Sequence, residues 1–379
     1  MSIFLINPYI LRPKLIRTFF DAGYTVTRAT TTSTAFTSRM SLSTTETAST
    51  NYATFWQITH DGSATNSDSR VQLFETSARQ IQNLEPPDTT DRFAGGGMYA
   101  YAGGTAKTFQ LQTSAEGGTH GYAGYALNVL QLTAADAFTT NLTNTTTTSN
   151  VFSTFISDTF PESGDYVVVG YCELLPTGSS ADAQLLYNGT TEYGTQGPNF
   201  LQDATNYSPY FHVQRITGVT AGQTIALQRR SVTNATTTAI RGASLLLLKT
   251  NQFENFYYAE QPTTQTTTAA TYAPELSQTF NILNPSNQHL ILASAMMRVN
   301  STTASGRCKL INTTSATDYN VEHDREPNAT TEWYPTIVTR IVTFSGSSNT
   351  IEWQSRAEIA GTTVDLKNMS IAIFDLGTT

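Results

Sequence analysis

Short apolar or alternating stretches of strand length recur along the whole chain, separated by segments rich in Gly, Asn and Thr. The nearly continuous apolar runs at 166–171 and 290–295 are typical of strands that are covered on both faces. Asn188 and Gly189 follow such a stretch, and this dipeptide favours a tight hairpin turn because both residues tolerate positive φ. Periodic blocks of good helix formers are absent from the sequence. The pattern therefore predicts an all-β fold.

The same succession of elements occurs three times. In each copy a Thr-rich run leads into strand-like segments, and a Thr-x-x-x-Gln strand precedes the last apolar strand. The three glutamines of this motif are Gln112, Gln228 and Gln354, and their spacing is that of a small domain rather than of a solenoid repeat. We therefore predict three tandem β-sandwich domains of jelly-roll type, with an immunoglobulin-like strand order left open.

The predicted division is an N-terminal arm at 1–28, followed by β-sandwich repeats at 29–133, 134–250 and 251–379. The arm is basic on an otherwise acidic chain, and its prolines disfavour a continuous helix. It either docks on a neighbouring molecule or packs on its own first domain. The residues predicted to bind a partner are Phe4, Tyr9, Arg12, Lys14, Arg17, Phe19 and Phe20.

Composition limits the choice of function. Of the 379 residues only 13% are charged, and the net charge of −8 argues against a nucleic-acid-binding face. No apolar run is long enough to span a membrane, and the N-terminus does not have the order of a signal peptide, so we expect a cytoplasmic origin and no membrane partner. Cys172 and Cys308 occupy different places in their repeats, which predicts two buried free thiols.

The sequence offers no convincing catalytic or metal site. The five histidines lack metal-ligand spacing, and no Gly-x-Ser-x-Gly motif is present. Glu322, Asp324 and Glu326 form an acidic cluster in one repeat only, which we interpret as a solvated loop rather than a glycosidase pair. Arg230 and Arg356 occupy matching positions and predict a salt bridge across strands or between repeats. We therefore predict no enzyme activity, no cofactor and no metal.

The opening Phe-Leu-Ile-Asn-Pro-Tyr at 4–9, the tandem β modules rich in Thr, Ser and Asn, and the lack of a catalytic cluster resemble virion structural proteins of tailed bacteriophages. The most similar kinds are jelly-roll capsid decoration (cement) proteins and tail appendage proteins. This resemblance implies a non-enzymatic protein that binds and stabilises a capsid lattice. Its partner would be the major capsid protein or another virion protein, in a virion assembled in the host cytoplasm.

The resemblance leaves the arrangement of the chain open. The protein would be a homo-oligomer, or a single chain with three modules around a pseudo-threefold axis, and an extended rod is an equal alternative. A second function is a tail or fibre appendage that binds a host receptor or glycan. Aromatic residues in variable loops would then contact the glycan, namely Trp333, Tyr334, Tyr257 and Tyr258.

Overall fold

The computed structural model of the protein describes residues 17–62, 67–84, 92–177, 180–195, 207–233, 236–326 and 330–378. Regular structure in these residues is almost entirely β-strand, with one short 3-10 helix at Thr250–Gln252. Within the same ranges, no helix has the length and apolar character needed to cross a membrane. The predicted all-β fold class is confirmed.

The strands form three successive sandwiches. The first sandwich contains β1 (Phe19–Thr25), β2 (Ala29–Thr31), β3 (Thr37–Thr44), β4 (Asn51–Gly62), β5 (Ser69–Phe74), β6 (Ala78–Leu84), β7 (Arg92–Ala102), β8 (Lys107–Ala115) and β9 (His120–Gln131). The second contains β10 (Ala137–Asn141), β11 (Thr145–Thr147), β12 (Ser153–Thr159), β13 (Gly164–Thr177), β14 (Ala181–Tyr187), β15 (Thr191–Tyr193), β16 (Ser208–Val219), β17 (Thr224–Ser231) and β18 (Thr237–Lys249). The third contains β19 (Phe256–Gln261), β20 (Gln265–Thr267), β21 (Ala273–Asn281), β22 (Gln288–Val299), β23 (Gly306–Asn312), β24 (Thr317–Asp318), β25 (His323–Arg325), β26 (Tyr334–Thr343), β27 (Ser348–Ala357) and β28 (Val364–Gly377).

Each sandwich pairs two antiparallel sheets with the same strand order. The sheet that we call inner runs β1/β2–β9–β4–β7 in the first sandwich, β10/β11–β18–β13–β16 in the second and β19/β20–β28–β22–β26 in the third. The outer sheets run β3–β8–β5–β6, β12–β17–β14–β15 and β21–β27–β23–β25. With the two halves of each bent first strand counted together, this is the jelly-roll order, and it excludes the immunoglobulin-like alternative.

The repeated sequence motifs occupy the same places in the three outer sheets. Gln112 in β8 lies opposite Gln72, and the amide of Gln72 donates to it at 2.6 Å. Gln228 in β17 lies opposite Gln184 in the same way, with a 2.9 Å hydrogen bond between the two amides. In the third sandwich Gln354 pairs instead with a lysine of β23. The motif therefore marks one register position of the jelly roll.

The Thr-rich runs form the second half of the bent first strand, at β2, β11 and β20. In each copy the last threonine of that strand, Thr31, Thr147 or Thr267, accepts a hydrogen bond from the backbone N–H two residues later, at 3.1–3.2 Å. This short local bond turns the chain from the inner sheet towards the outer one. The predicted Asn188-Gly189 turn is also present, with φ of 48° and 72°.

The arm predicted at 1–28 is only partly separate from the first sandwich. Residues 19–25 form β1, which pairs with β9. The next strand, β2, also pairs with β9, further along it. The predicted boundary at residue 28 therefore lies inside one sheet, because the backbone groups of β1 find their partners in β9. Residues 1–16 lie outside the described part of the chain.

Each sandwich has its own apolar core between its two sheets, and a further core is common to all three. Successive side chains of an inner strand point to opposite faces of the sheet, so one set lies in the core of its own sandwich and the other set in the common core. In β13, for example, Tyr166 and Val168 face the outer sheet, whereas Val167 and Val169 face the common core. Both faces of the inner sheets are therefore buried, as the continuous apolar runs predicted.

Candidate functional site

The three sandwiches form a closed ring in which each contact is of the same kind. The inner edge strand of one sandwich packs on the inner sheet of the next. Thus β7 contacts β13 and β18, β16 contacts β22 and β28, and β26 contacts β4 and β9. The three edge strands also contact one another. A head-to-tail contact repeated with closure generates a ring, so the chain has the arrangement of a trimer in a single polypeptide.

The apolar centre of the ring consists of equivalent residues from the three inner sheets. Phe55 from β4, Val169 from β13 and Leu292 from β22 all lie in this core and are fully buried. Burial of such side chains is the main favourable contribution to association. The exposed edges of β7, β16 and β26 are covered at the same time, which removes a site for aggregation.

Equivalent polar side chains bridge two of the contacts. Gln57 of β4 accepts the backbone N–H of Thr339 at 2.7 Å, and Ser294 of β22 accepts that of Val213 at 3.3 Å. Gln57 and Ser294 each lie beside a β-bulge in the neighbouring strand, β9 or β28. A bulge increases the local twist of the sheet at these two contacts.

The contact between the first and second sandwiches contains a buried carboxylate instead. Glu173 accepts the backbone N–H of Ile81 at 2.7 Å, the hydroxyl of Tyr171 at 3.0 Å and the Nε of Arg241 at 2.7 Å. Arg241 also donates to the carbonyl of Ile81 at 2.8 Å. Burial raises the pKa of Glu173 to about 7, against the opposing effect of Arg241. The site holds the edge of β6 on the second sandwich.

Arg17 lies where the three sandwiches meet, at the end where β9 and β18 finish and β10 and β19 begin, which we call the linker end. Its guanidinium is 2.7 Å from the carboxylate of Asp136 and lies over the ring of Phe253 at 4.1 Å. It also donates to the carbonyl of Gln131 at 3.3 Å. Asp136 accepts the backbone N–H of Lys249 at 2.9 Å in addition. One ion pair thus joins the first strand, both linkers and the common core.

The opposite end of the ring, where β4, β13 and β22 finish, we call the loop end. There the three edge strands surround a narrow cavity lined by Phe93, Pro209 and Tyr334, among others. The buried guanidinium of Arg325 lies 4.1 Å from the ring centres of both Phe93 and Tyr334. A backbone pair between Asp324 and Arg92 further joins the third sandwich to the first.

The structure describes three of the residues predicted to bind a partner, and none of them is freely exposed. Arg17 is buried in its ion pair with Asp136. Phe19 packs against the common core and Phe20 against the core of the first sandwich. These side chains stabilise the chain itself. The remaining predicted partner residues, Phe4, Tyr9, Arg12 and Lys14, lie outside the described residues.

The aromatic residues predicted to contact glycan are mostly covered. Trp333 is 5% exposed, and the guanidinium of Arg298 and the ammonium of Lys367 lie 4.7 Å and 4.1 Å from the centre of its ring. Tyr334 is 4% exposed beside Arg325, so neither ring presents a face for a sugar. Glycan contact by these two residues stays a prediction that their burial disfavours.

Tyr257 and Tyr258 point in opposite directions from β19, as neighbours in a strand do. The hydroxyl of Tyr257 donates to the carbonyl of Asn281 at 2.6 Å, and its ring packs on the core of the third sandwich. Tyr258 faces the second sandwich, and its hydroxyl lies 3.4 Å from the carbonyl of Val213 there and donates to Glu260 of its own strand at 2.8 Å. Tyr258 also lines an open cleft.

Polar residues considered for catalysis form structural contacts. The guanidinium of Arg307 is 3.2 Å from Glu322 and 2.9 Å from Asp324, so that part of the acidic cluster is neutralised. Arg230 is 2.7 Å from Asp182 across two strands, which confirms the predicted cross-strand salt bridge. Burial lowers the pKa of His60 and His323 to about 3, which leaves both rings neutral. The described residues include no group of three His, Cys, Asp or Glu side chains placed to bind a metal ion.

Cys172 and Cys308 are buried and free, as the sequence predicted. Burial raises the pKa of both thiols, to about 12 for Cys308. Neither is therefore activated as a nucleophile, because the thiolate is the reactive form.

No family model matches the chain, and no curated protein matches it in sequence. Among solved structures it is similar to a chain from work on the triple jelly roll fold and turret assembly in an archaeal virus. The two share 12% identity over 95% of this chain and 92% of that one, with a TM-score of 0.25. It is also similar to a chain of Sulfolobus turreted icosahedral virus, at 12% identity over 96% and 98% of the two chains and a TM-score of 0.22. A chain of the T13 IBDV viral particle has 8% identity over 95% and 77%, with a TM-score of 0.25. TM-scores this low do not establish a shared fold, so the jelly-roll assignment depends on the strand order.

Proposed function

We propose that this chain is a non-enzymatic structural protein of a virion, most simply a decoration or cement protein that stabilises a capsid lattice. The observation that carries the proposal is the closed ring of three jelly rolls around one apolar core. A chain that has already joined three modules through buried contacts presents a rigid body with threefold-like geometry. Such a body is suited to permanent attachment, because little conformational entropy is lost when it binds.

The position of Arg17 is compatible with attachment through the linker end. Arg17, which directly follows the predicted partner-binding segment, lies there in its ion pair with Asp136. We propose that the segment before Arg17, with Phe4, Tyr9, Arg12 and Lys14, binds the major capsid protein or another virion protein. The loop end would then face away from the particle.

Particle composition tests this function. We expect quantitative peptide mass spectrometry of purified virions to find the protein in hundreds of copies, comparable to a capsid lattice component. Purified protein added to particles that lack it should raise the temperature at which they release their genome. A variant without residues 1–16 should keep its circular dichroism spectrum but fail to bind. Absence from virions, or equal binding by that variant, would contradict the proposal.

The second candidate, a tail or fibre appendage that binds a host receptor or glycan, shares the same ring. The observation that favours it is the cleft lined by Tyr258. Copy number separates the two functions, since a tail part is present in a few tens of copies at most. Electron microscopy of particles labelled through the C-terminus would place the protein on the head or on the tail.

A further inference from the structure

The contact between the second and third sandwiches differs from the other two at one equivalent position. In each sandwich the last strand in chain order, β9, β18 or β28, has a bulge. The bulge contains a residue with positive φ, which is Gly124, Gly242 or Asn368. In two contacts the preceding sandwich covers this bulge. A Val321 methyl lies 3.1 Å from where a Cβ of Gly124 would be, and Gln80 donates to the carbonyl of Gly242 at 3.2 Å.

Above Asn368 the described residues leave a cleft at the corresponding position. The strand register places Gly194 of the second sandwich where the first sandwich has Ile81, and the ring of His212 lies directly against its backbone. Met296 and Lys367 stand where the second sandwich has the Glu173–Arg241 ion pair. A cleft of about 680 Å³, counted out to its mouth, results between the two sandwiches.

The lining of the cleft combines aromatic rings with hydrogen-bonding groups. Tyr193 and Tyr258 contribute partly exposed rings, and Glu192 lies at the exposed rim. The carboxylate of Glu260 is fixed from inside by the amide of Gln214 at 2.7 Å and by the hydroxyl of Tyr258 at 2.8 Å. A pocket with apolar faces and a few placed polar groups is the usual form of a small-ligand site.

We propose that this cleft binds a neutral saccharide of one or two rings. Sugar rings have an apolar face that packs on a tyrosine and a rim of hydroxyls that donate to carboxylates. Glu192 and Glu260 outnumber the one ammonium, that of Lys367, so an acidic ligand is disfavoured. Trp333 contributes only indirectly, because its ring holds Lys367 at the wall of the cleft. The proposal deepens the second candidate function, glycan binding at this cleft, and does not depend on the capsid-stabilising role, which particle composition tests separately.

Saturation-transfer NMR on the full chain tests the site, with lactose, cellobiose and N,N′-diacetylchitobiose as probes and 3′-sialyllactose as the acidic comparison. We expect transfer to at least one neutral disaccharide and weaker transfer to sialyllactose. Tyr193→Ala should weaken binding about tenfold, equivalent to roughly 1.4 kcal/mol. Tyr193→Phe, which keeps the ring, should bind like the unaltered chain.

Glu260→Gln should also weaken binding, whereas Glu352→Gln, on β27 and outside the cleft, should not. Thermal unfolding of each variant checks that the fold is kept. The proposal is overturned if no neutral probe binds, if Tyr193→Ala and Glu260→Gln both bind normally, or if sialyllactose binds as well as the neutral sugars. Loss of binding in Glu352→Gln would likewise count against the cleft as the site.

Discussion

Removal of the Arg17 charge should destabilise the chain far more than removal of a surface arginine. The side chains of Arg17 and Asp136 are 1% and 0% exposed. Breaking one partner of a buried ion pair costs about 3–5 kcal/mol, since the other charge is left without compensation. Asp136 keeps bonds from two backbone N–H groups and the Thr133 hydroxyl, so we expect the lower part of this range, about 3 kcal/mol.

Arg17→Met is the suitable substitution because the methionine keeps an apolar stem over Phe253. Arg215→Met is the matched control. Arg215 forms a 2.8 Å pair with Asp165, but the two side chains are 37% and 35% exposed. An exposed pair of this kind contributes about 0–1 kcal/mol because solvent screens it.

Urea unfolding, followed by both tryptophan fluorescence and circular dichroism, measures the difference between the two variants. Agreement of the two probes checks that unfolding is cooperative enough for a free energy to be assigned. Arg17→Lys, which keeps a positive charge, should fall between Arg17→Met and the unaltered chain. If Arg17→Met and Arg215→Met lose the same stability within about 0.5 kcal/mol, the ion pair does not hold the ring together.

Three further predictions concern packing and pH. Gly97→Ala places a methyl group 2.7 Å from the Tyr171 ring, so we expect it to lower the free energy of unfolding by about 1–3 kcal/mol. Gly104→Ala is the control, because no atom lies within 4 Å of the methyl group it would add. Equal melting temperatures for the two variants would contradict the prediction. The pKa of His60 is about 3 in the folded chain, so as pH falls the unfolded chain binds a proton at this residue first. We therefore expect the free energy of unfolding to fall as pH drops from 6.5 towards 3. His60→Asn should reduce this dependence of stability on pH, measured by urea unfolding at each pH. Glu173, with a pKa of about 7, binds its proton more tightly in the folded chain than in the unfolded chain. Its contribution to the free energy of unfolding should therefore be greatest below pH 4.5 and be lost as pH rises through 7. If Glu173→Gln leaves the dependence of stability on pH unchanged in this range, another group is responsible.

Several local features of this fold were readable from the sequence. Alternation of apolar and polar residues located the strands, and Asn188-Gly189 located a hairpin turn, because both signals depend on neighbouring residues only. The Thr-x-x-x-Gln motif revealed three copies, and in the structure Gln112 and Gln228 pair with equivalent glutamines. The apolar run at 166–171 correctly indicated a strand covered on both faces.

Tertiary structure alone decided what covers those faces. An apolar run shows that a surface is buried but does not identify the partner, so the sequence left a ring and a rod equally open. Arg17 looked like part of a basic anchor, yet closure of the ring places it against Asp136, 119 residues away. Trp333 looked like an exposed loop aromatic, but Lys367 and Arg298 cover it from other strands. The cleft at Asn368 lies between residues of the second and third sandwiches that are far apart in the chain, so no local sequence pattern could reveal it.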